Sequence, residues 1–277
     1  MLDINAVPLR GIDTSDGLRF GALERMGDIA GHPGVYPAIS RALLLSASQQ
    51  IRNMASIGGN LMQRTRCSYF RDVAMPCNRR DPGSGCPAIS GANRMHAVLG
   101  TSDSCAATHA SDVAVALVAL DAKLRLVSET GSRTVELGSF YRLPGDTPEL
   151  ENDLRPGELI AEVIVPKLEW ASNSTYVKVR DRQSYEFALC SAAVALHVED
   201  ERIVDARVAA GGVATVPWRL PAVEEALRGA PATVASFEAA AALATEGARP
   251  LSGNGFKTSL LPRTLVRALL ELTEGSR

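Results

Sequence analysis

Four of the chain's five cysteines fall between Cys67 and Cys105, spaced Cys67-x9-Cys77-x8-Cys86-x18-Cys105, and Cys190 stands alone. The stretch NLMQRTRCSYFRDVAMPCNRRDPGSGC (60–86) is too polar for a core strand and too punctuated for a helix. A long segment without regular structure is uncommon in a compact domain and is usually functional or disordered. Its Cys, Arg, Tyr and Phe are not the composition of a disordered tail. Four thiolates can hold a tetrahedral zinc ion or a 4Fe–4S cluster. Structural zinc usually uses at least one short pair of ligands, and every gap here is long. Arg64, Arg66, Arg71, Arg79 and Arg80 surround the first three cysteines, a collar suited to a negatively charged cluster. The competing readings are one or two disulfides, or free buried cysteines beside solvated arginines.

The 277 residues suffice for one large domain or two ordinary ones, and 46% hydrophobic content can fill a sizeable core. A formal net charge of −2 gives no electrostatic case for nucleic-acid binding. No apolar run approaches the roughly 20 residues of a membrane span. The N-terminus MLDINAVPLRGIDTSDG has neither a basic nor an apolar leader region, so a cytoplasmic location is expected. Cysteine density is too low for a disulfide scaffold.

Residues 38–54 have apolar positions at helical spacing, and Gly58-Gly59 is expected to break that helix. Ser111 and Asp112 are good caps for a helix running from Val113 to Leu120. Leu124–Val127 and ELIAEVIVP (158–166) read as strands. Composition shifts near Leu168. Beyond it, TYVKVRDR, FALCSAAVALHVE and RIVDARVAAGGVA read as three strands, and helical patterns follow at about 221–228, 232–247 and 262–273. The expected class is α+β, with a separate C-terminal unit.

Individual motifs carry two readings each. ASIGGN (55–60) could expose backbone N–H groups to anionic oxygens, or could simply cap a helix. His109, Ser111 and Asp112 could contact a cofactor, or cap a helix. Lys178 and Arg180 alternate on one strand face, which suits an anionic ligand or plain solvent. Cys190 reads as a buried small hydrophobe. His32, His96 and His197 read as surface or packing residues. Hydrolase and NTPase signatures are absent from the sequence.

Taken together, the helix followed by ASIGGN, THASD before a helix, TYVKVRDR and VAAGGVATVPWR resemble the FAD-binding medium subunit of molybdenum hydroxylases. That group includes xanthine dehydrogenase and carbon monoxide dehydrogenase. NLMQRTRCSYFRD, CNRRDPGSGC and Cys105 are similar to a branch whose flavin subunit carries an inserted 4Fe–4S loop, as in periplasmic aldehyde oxidoreductases and 4-hydroxybenzoyl-CoA reductase β subunits. The resemblance implies an FAD-binding PCMH-type domain over 1–168, with the inserted loop at about 61–106. A C-terminal domain over 169–277 would hold a three-stranded antiparallel sheet with helices.

It also implies site roles. Ser56, Gly58, Gly59 and Asn60 would contact the FAD phosphates, and Asp112 the adenosine side, with Thr108 and Ser111 nearby. Ile160 and Lys178 would lie near the flavin ring. Cys67, Cys77, Cys86 and Cys105 would ligate the cluster. The implied partners are a molybdenum-cofactor subunit and a 2Fe–2S subunit, with electrons passing through this chain to an acceptor. Co-export with a partner bearing a twin-arginine signal would place it in the periplasm. Family members begin with a further segment whose glycine-rich loop cradles the FAD pyrophosphate, so the domain is expected to be N-terminally shortened here. The rival readings are an FAD-deficient scaffold subunit with a structural cluster or zinc, and a stand-alone zinc protein.

Overall fold

The computed structural model describes Ile4 and residues 6–274. Residues 1–3 and 5 of the expected FAD-binding domain, and 275–277 of the expected C-terminal domain, lie outside them.

An antiparallel sheet forms from β1 (Ile12–Asp13), β2 (Leu18–Gly21), β3 (Lys123–Ser128), β4 (Gly131–Glu136) and β5 (Leu159–Val165), in the order β1-β2-β5-β3-β4. The alternation read in the sequence is realised: Leu124 and Leu126 point into the core. The β3–β5 register shifts between Arg125 and Leu126, so Ala161 is the extra residue and both it and Ile160 are buried.

Helices α1 (Met26–Gly31), α2 (Pro37–Leu44), α3 (Gln49–Met54) and α4 (Ile57–Leu61) follow β2. The single helix expected over 38–54 is therefore two. Ala47 sits at φ 49°, and the Ser48 side chain restarts the chain by accepting from Ile51 N–H at 3.3 Å. Gly58 and Gly59 do not break a helix but lie inside α4, whose N-cap Ser56 accepts from Gly59 N–H at 3.2 Å. The cysteine segment holds the short α5 (Ser68–Arg71); α6 (Asp112–Ala119) and α7 (Leu137–Phe140) come after it.

A second antiparallel sheet runs β6 (Ser174–Val179), β7 (Cys190–Glu199), β8 (Arg202–Gly211), β9 (Trp218–Arg219). The first three are the expected strands; the two-residue β9 adds a fourth. Cys190, Ala192, Val194 and Leu196 face α8 (Pro221–Leu227), α9 (Val234–Ala241) and α10 (Lys257–Glu274), meeting Phe237, Leu261, Leu265 and Leu269. Helix α10 begins earlier than the sequence pattern suggests, with Pro262 inside it.

On the other face Ala193, Ala195 and Ala209 join the core shared by α2, α6 and the first sheet. Small side chains keep that face flat, so α6, buried at all eight positions, lies close against it. At the closest approach stands Gly211, where a Cβ would fall 2.6 Å from Val115 Cγ2 and from Ser191 Oγ. Gly211→Val should cost about 1–3 kcal/mol through overpacking. Urea denaturation checks this, as a lower midpoint at unchanged slope.

Candidate functional site

Two cavities meet at the N-terminus of α6. A groove of about 770 Å³ runs between α4, the segment after α2, and the 182–187 loop; Ser56, Gly59, Asn60, Asp112 and Lys178 line it. A neighbouring cavity of about 350 Å³ is lined by Thr108, Ser111 and Asp112, with Cys67 and His96 on its far wall. The fold thus gathers seven of the nine residues that the resemblance implies for FAD. Gly58 is turned away, packed so that a Cβ would meet Ala22 O at 2.9 Å. Ile160 lies in the β5 core and lines neither cavity.

The floor of the groove is an ion pair. Asp112 Oδ2 accepts from Lys178 Nζ at 2.8 Å and Oδ1 from Tyr176 Oη at 2.7 Å. Lys178 also donates to Leu45 O at 3.1 Å, and its side chain is only 1% exposed. The solvent-face reading of Lys178 is therefore overturned: β6 is covered there by the end of α2. Burial pushes the Asp112 carboxyl up, and Lys178 pulls it back. Ser111 accepts from Ala114 N–H at 3.1 Å and donates to Asn60 Oδ1 at 2.6 Å, which locks α4 to α6.

The groove suits a flavin dinucleotide. Gly59 leaves a bare backbone on its wall: a Cβ there would meet only Ser56 Oγ, at 3.0 Å. Arg25, Arg66, Arg71 and Arg182 line the groove against the acidic Asp112 and Glu186, an excess of cations that suits a diphosphate. Apolar Ile51, Met54 and Phe187 line it as well.

Cys67, Cys77, Cys86 and Cys105 converge on one small cavity, and all are free thiols. The loop is shaped by its own polar groups. Gly83 and Gly85 take φ of 88° and 101°, which glycine alone adopts readily, and this turn brings Cys86 back toward Cys77. Asn78 Oδ1 accepts from Gly85 N–H at 2.7 Å, and Ser84 Oγ from Cys77 N–H at 2.9 Å. Burial raises the thiol pKa values of Cys67 and Cys86, and repulsion from the other sulfurs adds to it.

Among the described residues no group of three or more His, Cys, Asp or Glu is placed to hold a metal ion. The thiols are nonetheless four around one space. A single tetrahedral zinc needs its sulfurs within about 3.8 Å of one another, given Zn–S bonds of about 2.3 Å. A four-iron cluster binds each thiolate to a different iron and spaces them more widely. Four free thiols around one space are a donor set of the number and kind that either a zinc ion or a four-iron cluster takes.

The expected arginine collar divides into separate tasks. Arg79 alone reaches a thiol, Cys105 Sγ at 3.7 Å, and is held by Glu151 at 2.8 Å. Arg64 pairs with Glu151 and lies 4.5 Å from the Phe70 ring centre. Arg80 donates to the carbonyls of Tyr69, Phe70 and Met75, holding the loop's curve. Arg66 and Arg71 turn toward the groove. His96, read as a surface or packing residue, is buried with Nε2 3.2 Å from Cys67 Sγ. Only the fold brings it there, 29 positions along the chain from its partner. Cys190 is the buried hydrophobe expected, its thiol pushed up to about 12.

Residues 1–168 match the family described as FAD binding domain in molybdopterin dehydrogenase, and 175–272 the CO dehydrogenase flavoprotein C-terminal domain. The chain belongs to this family of oxidoreductase flavoprotein subunits. It is 45% identical over 278 aligned positions to the aldehyde oxidoreductase FAD-binding subunit PaoB of Escherichia coli K12, covering 98% of this chain and 84% of that one. It is 31% identical to the glyceraldehyde dehydrogenase medium chain of Sulfolobus acidocaldarius, covering 81% of this chain and 64% of that one. Quinoline 2-oxidoreductase from Pseudomonas putida 86 shares the fold at a TM-score of 0.70 and 23% identity, over 96% of this chain and 79% of that one. CO dehydrogenase from Oligotropha carboxidovorans does so at 0.69 and 20%, over 94% and 77%. Among the described residues no helix is long and apolar enough to cross a membrane.

Two outcomes follow from the α6 region. Lys178→Met strands a buried carboxylate and should cost about 3–5 kcal/mol, whereas Lys178→Met with Asp112→Asn should recover much of that; thermal or urea melts compare them. His109, edge-on to Tyr141 at 4.4 Å, accepts from Ser111 N–H through Nδ1 at 3.3 Å. Burial, with Arg79 nearby, lowers its pKa from 6.5 to about 3. The unfolded chain then binds the extra proton first, so stability present near neutral pH is lost as pH falls from about 6.5 toward 3. The loss should be about 2 kcal/mol, less than the full shift because the residue is only half-buried and lines the cavity of about 350 Å³. His109→Phe should flatten that part of the pH–stability curve.

Proposed function

We propose that this chain is the FAD- and 4Fe–4S-bearing electron-transfer subunit of a molybdenum-dependent aldehyde oxidoreductase. The observation that carries the proposal is adjacency. A cationic groove with a bare glycine wall leads, through the cavity walled by Cys67 and His96, to a closed four-thiol site. When bound, flavin and cluster supply one- and two-electron redox chemistry.

The chain's residues position both groups. Ser56, Gly59 and Asn60 hold the dinucleotide along α4. Arg66 and Arg71 offset its diphosphate charge. The Asp112–Lys178 pair and Ser111 fix the groove floor, and Thr108 lines the cavity beyond. Cys67, Cys77, Cys86 and Cys105 ligate the cluster, with Arg79 offsetting its charge at Cys105. No general acid or base is required of this chain. The domains are 1–168, with the cluster loop at about 61–106, and 169–277. Substrate oxidation belongs to a molybdenum-cofactor subunit, joined by a 2Fe–2S subunit. The complex works in the cytoplasm, or in the periplasm after co-export with a partner.

Anaerobic purification followed by FAD, iron, sulfide and zinc quantitation tests the proposal. The expected result is one FAD and four irons per chain with matching sulfide, and iron lost but FAD kept in Cys77→Ser. Iron without FAD would leave a scaffold subunit with a cluster. Zinc in place of iron would overturn the cluster assignment.

A further inference from the structure

His96 has been given no role beyond lining a cavity, yet buried side chains hold the backbone on both sides of it. Its ring is buried, with 5% of the residue exposed. The backbone on either side is clamped by the start of α10 and the loop before it. Asn254 Nδ2 donates to His96 O at 3.2 Å and to Ala97 O at 3.0 Å. Lys257 Nζ donates to Met95 O at 3.1 Å and to Gly212 O at 2.6 Å. Asn93 closes the clamp by accepting from Gly253 N–H at 2.7 Å. Asn254 and Lys257 are both 0% exposed. A surface or packing histidine needs no such fixing.

What the clamp fixes is the Nε2 position, 3.2 Å from Cys67 Sγ; Nδ1 is buried without a partner. A cluster-bound Cys67 is a thiolate and has no proton to give. The only hydrogen-bonded arrangement then is Nε2–H donating to sulfur. At Cys105 the sulfur meets two donors, Arg79 Nη2 at 3.7 Å and Ala107 N–H at 3.5 Å. Backbone amides of Tyr69 and Phe70 also face Cys67, and those of Ala88 and Ala106 face Cys86, so donors reach three of the four sulfurs and His96 is the side-chain donor at Cys67.

Hydrogen bonds to the sulfurs of an iron–sulfur cluster stabilise its more negative, reduced state and so raise the reduction potential. We infer that His96 is a positioning residue that donates from Nε2 to the Cys67 sulfur and sets the potential of the cluster. This rests on the cluster reading above. The residue lies between the thiol site and the cavity that adjoins the groove, and Cys67 is the one of the four cysteines that lines both.

The test is a potentiometric titration of the assembled complex, following the cluster by EPR, with iron counted in each sample. His96→Leu should keep the wild-type iron content and lower the cluster midpoint by about 59 mV, a tenfold change for a one-electron couple. His96→Gln, which can still donate an N–H, should restore it toward the wild-type value. Wild-type iron with an unmoved midpoint in His96→Leu would overturn the role of His96 alone. If His96→Leu loses iron, His96→Gln decides: iron and midpoint near wild type support the donor role, and equal loss in both overturns it. Iron missing from the wild-type complex would instead remove the cluster reading, and this inference with it.

Discussion

The buried pair between Asp112 and Lys178 is the contact on which the rest of the site depends. It joins the first turn of α6 to β6, and Lys178 reaches on to Leu45 O beyond α2. Three elements distant in sequence therefore meet at one charge pair. Such a pair is weak as a source of net stability, because desolvation offsets much of the Coulombic gain. Its value is geometric, since neither partner can be left alone in that environment. With Tyr176 on the second carboxylate oxygen, the acidic group is fully engaged and fixes the groove floor.

The cysteine segment solves a different problem. It has little regular structure and few large apolar side chains, so it cannot be held by a core of its own. Side chains that bond to backbone carbonyls and amides do the holding instead: Arg80 and Asn78 within the loop, Asn254 and Lys257 from outside it. The last two belong to the C-terminal part of the chain. The thiol site is consequently built on contacts with both sheets' supporting elements.

Groove and thiol site are close because Arg66 and Cys67 are neighbours in sequence and both line the cavity between the two. Arg66 lines the flavin groove, while Cys67 lines the thiol cavity. One peptide unit thus separates the two proposed redox stations at their nearest walls. Thr65 secures this junction, donating through its hydroxyl to Thr108 O at 3.1 Å and accepting from Cys67 N–H at 3.2 Å.

Local patterns in the sequence determined β3, β5, the strands β6 to β8, the Ser111 cap and the unusual nature of the cysteine segment. Each rests on alternation, helical periodicity or capping, which act over a few residues. Helix boundaries near residue 47 and at Gly58-Gly59 were not legible. A positive φ at Ala47 and a cap from Ser56 override the apolar spacing and glycine's low helix propensity. The arginines likewise looked alike in the sequence, and tertiary contacts gave each a different partner. The four cysteines could be recognised as a set, but only the folded chain could bring them around one space. Only it could bury Lys178 against Asp112, or place His96 against Cys67. Those pairings span tens of residues, and their energies come from desolvation and directed hydrogen bonds, which exist only once the intervening chain has packed.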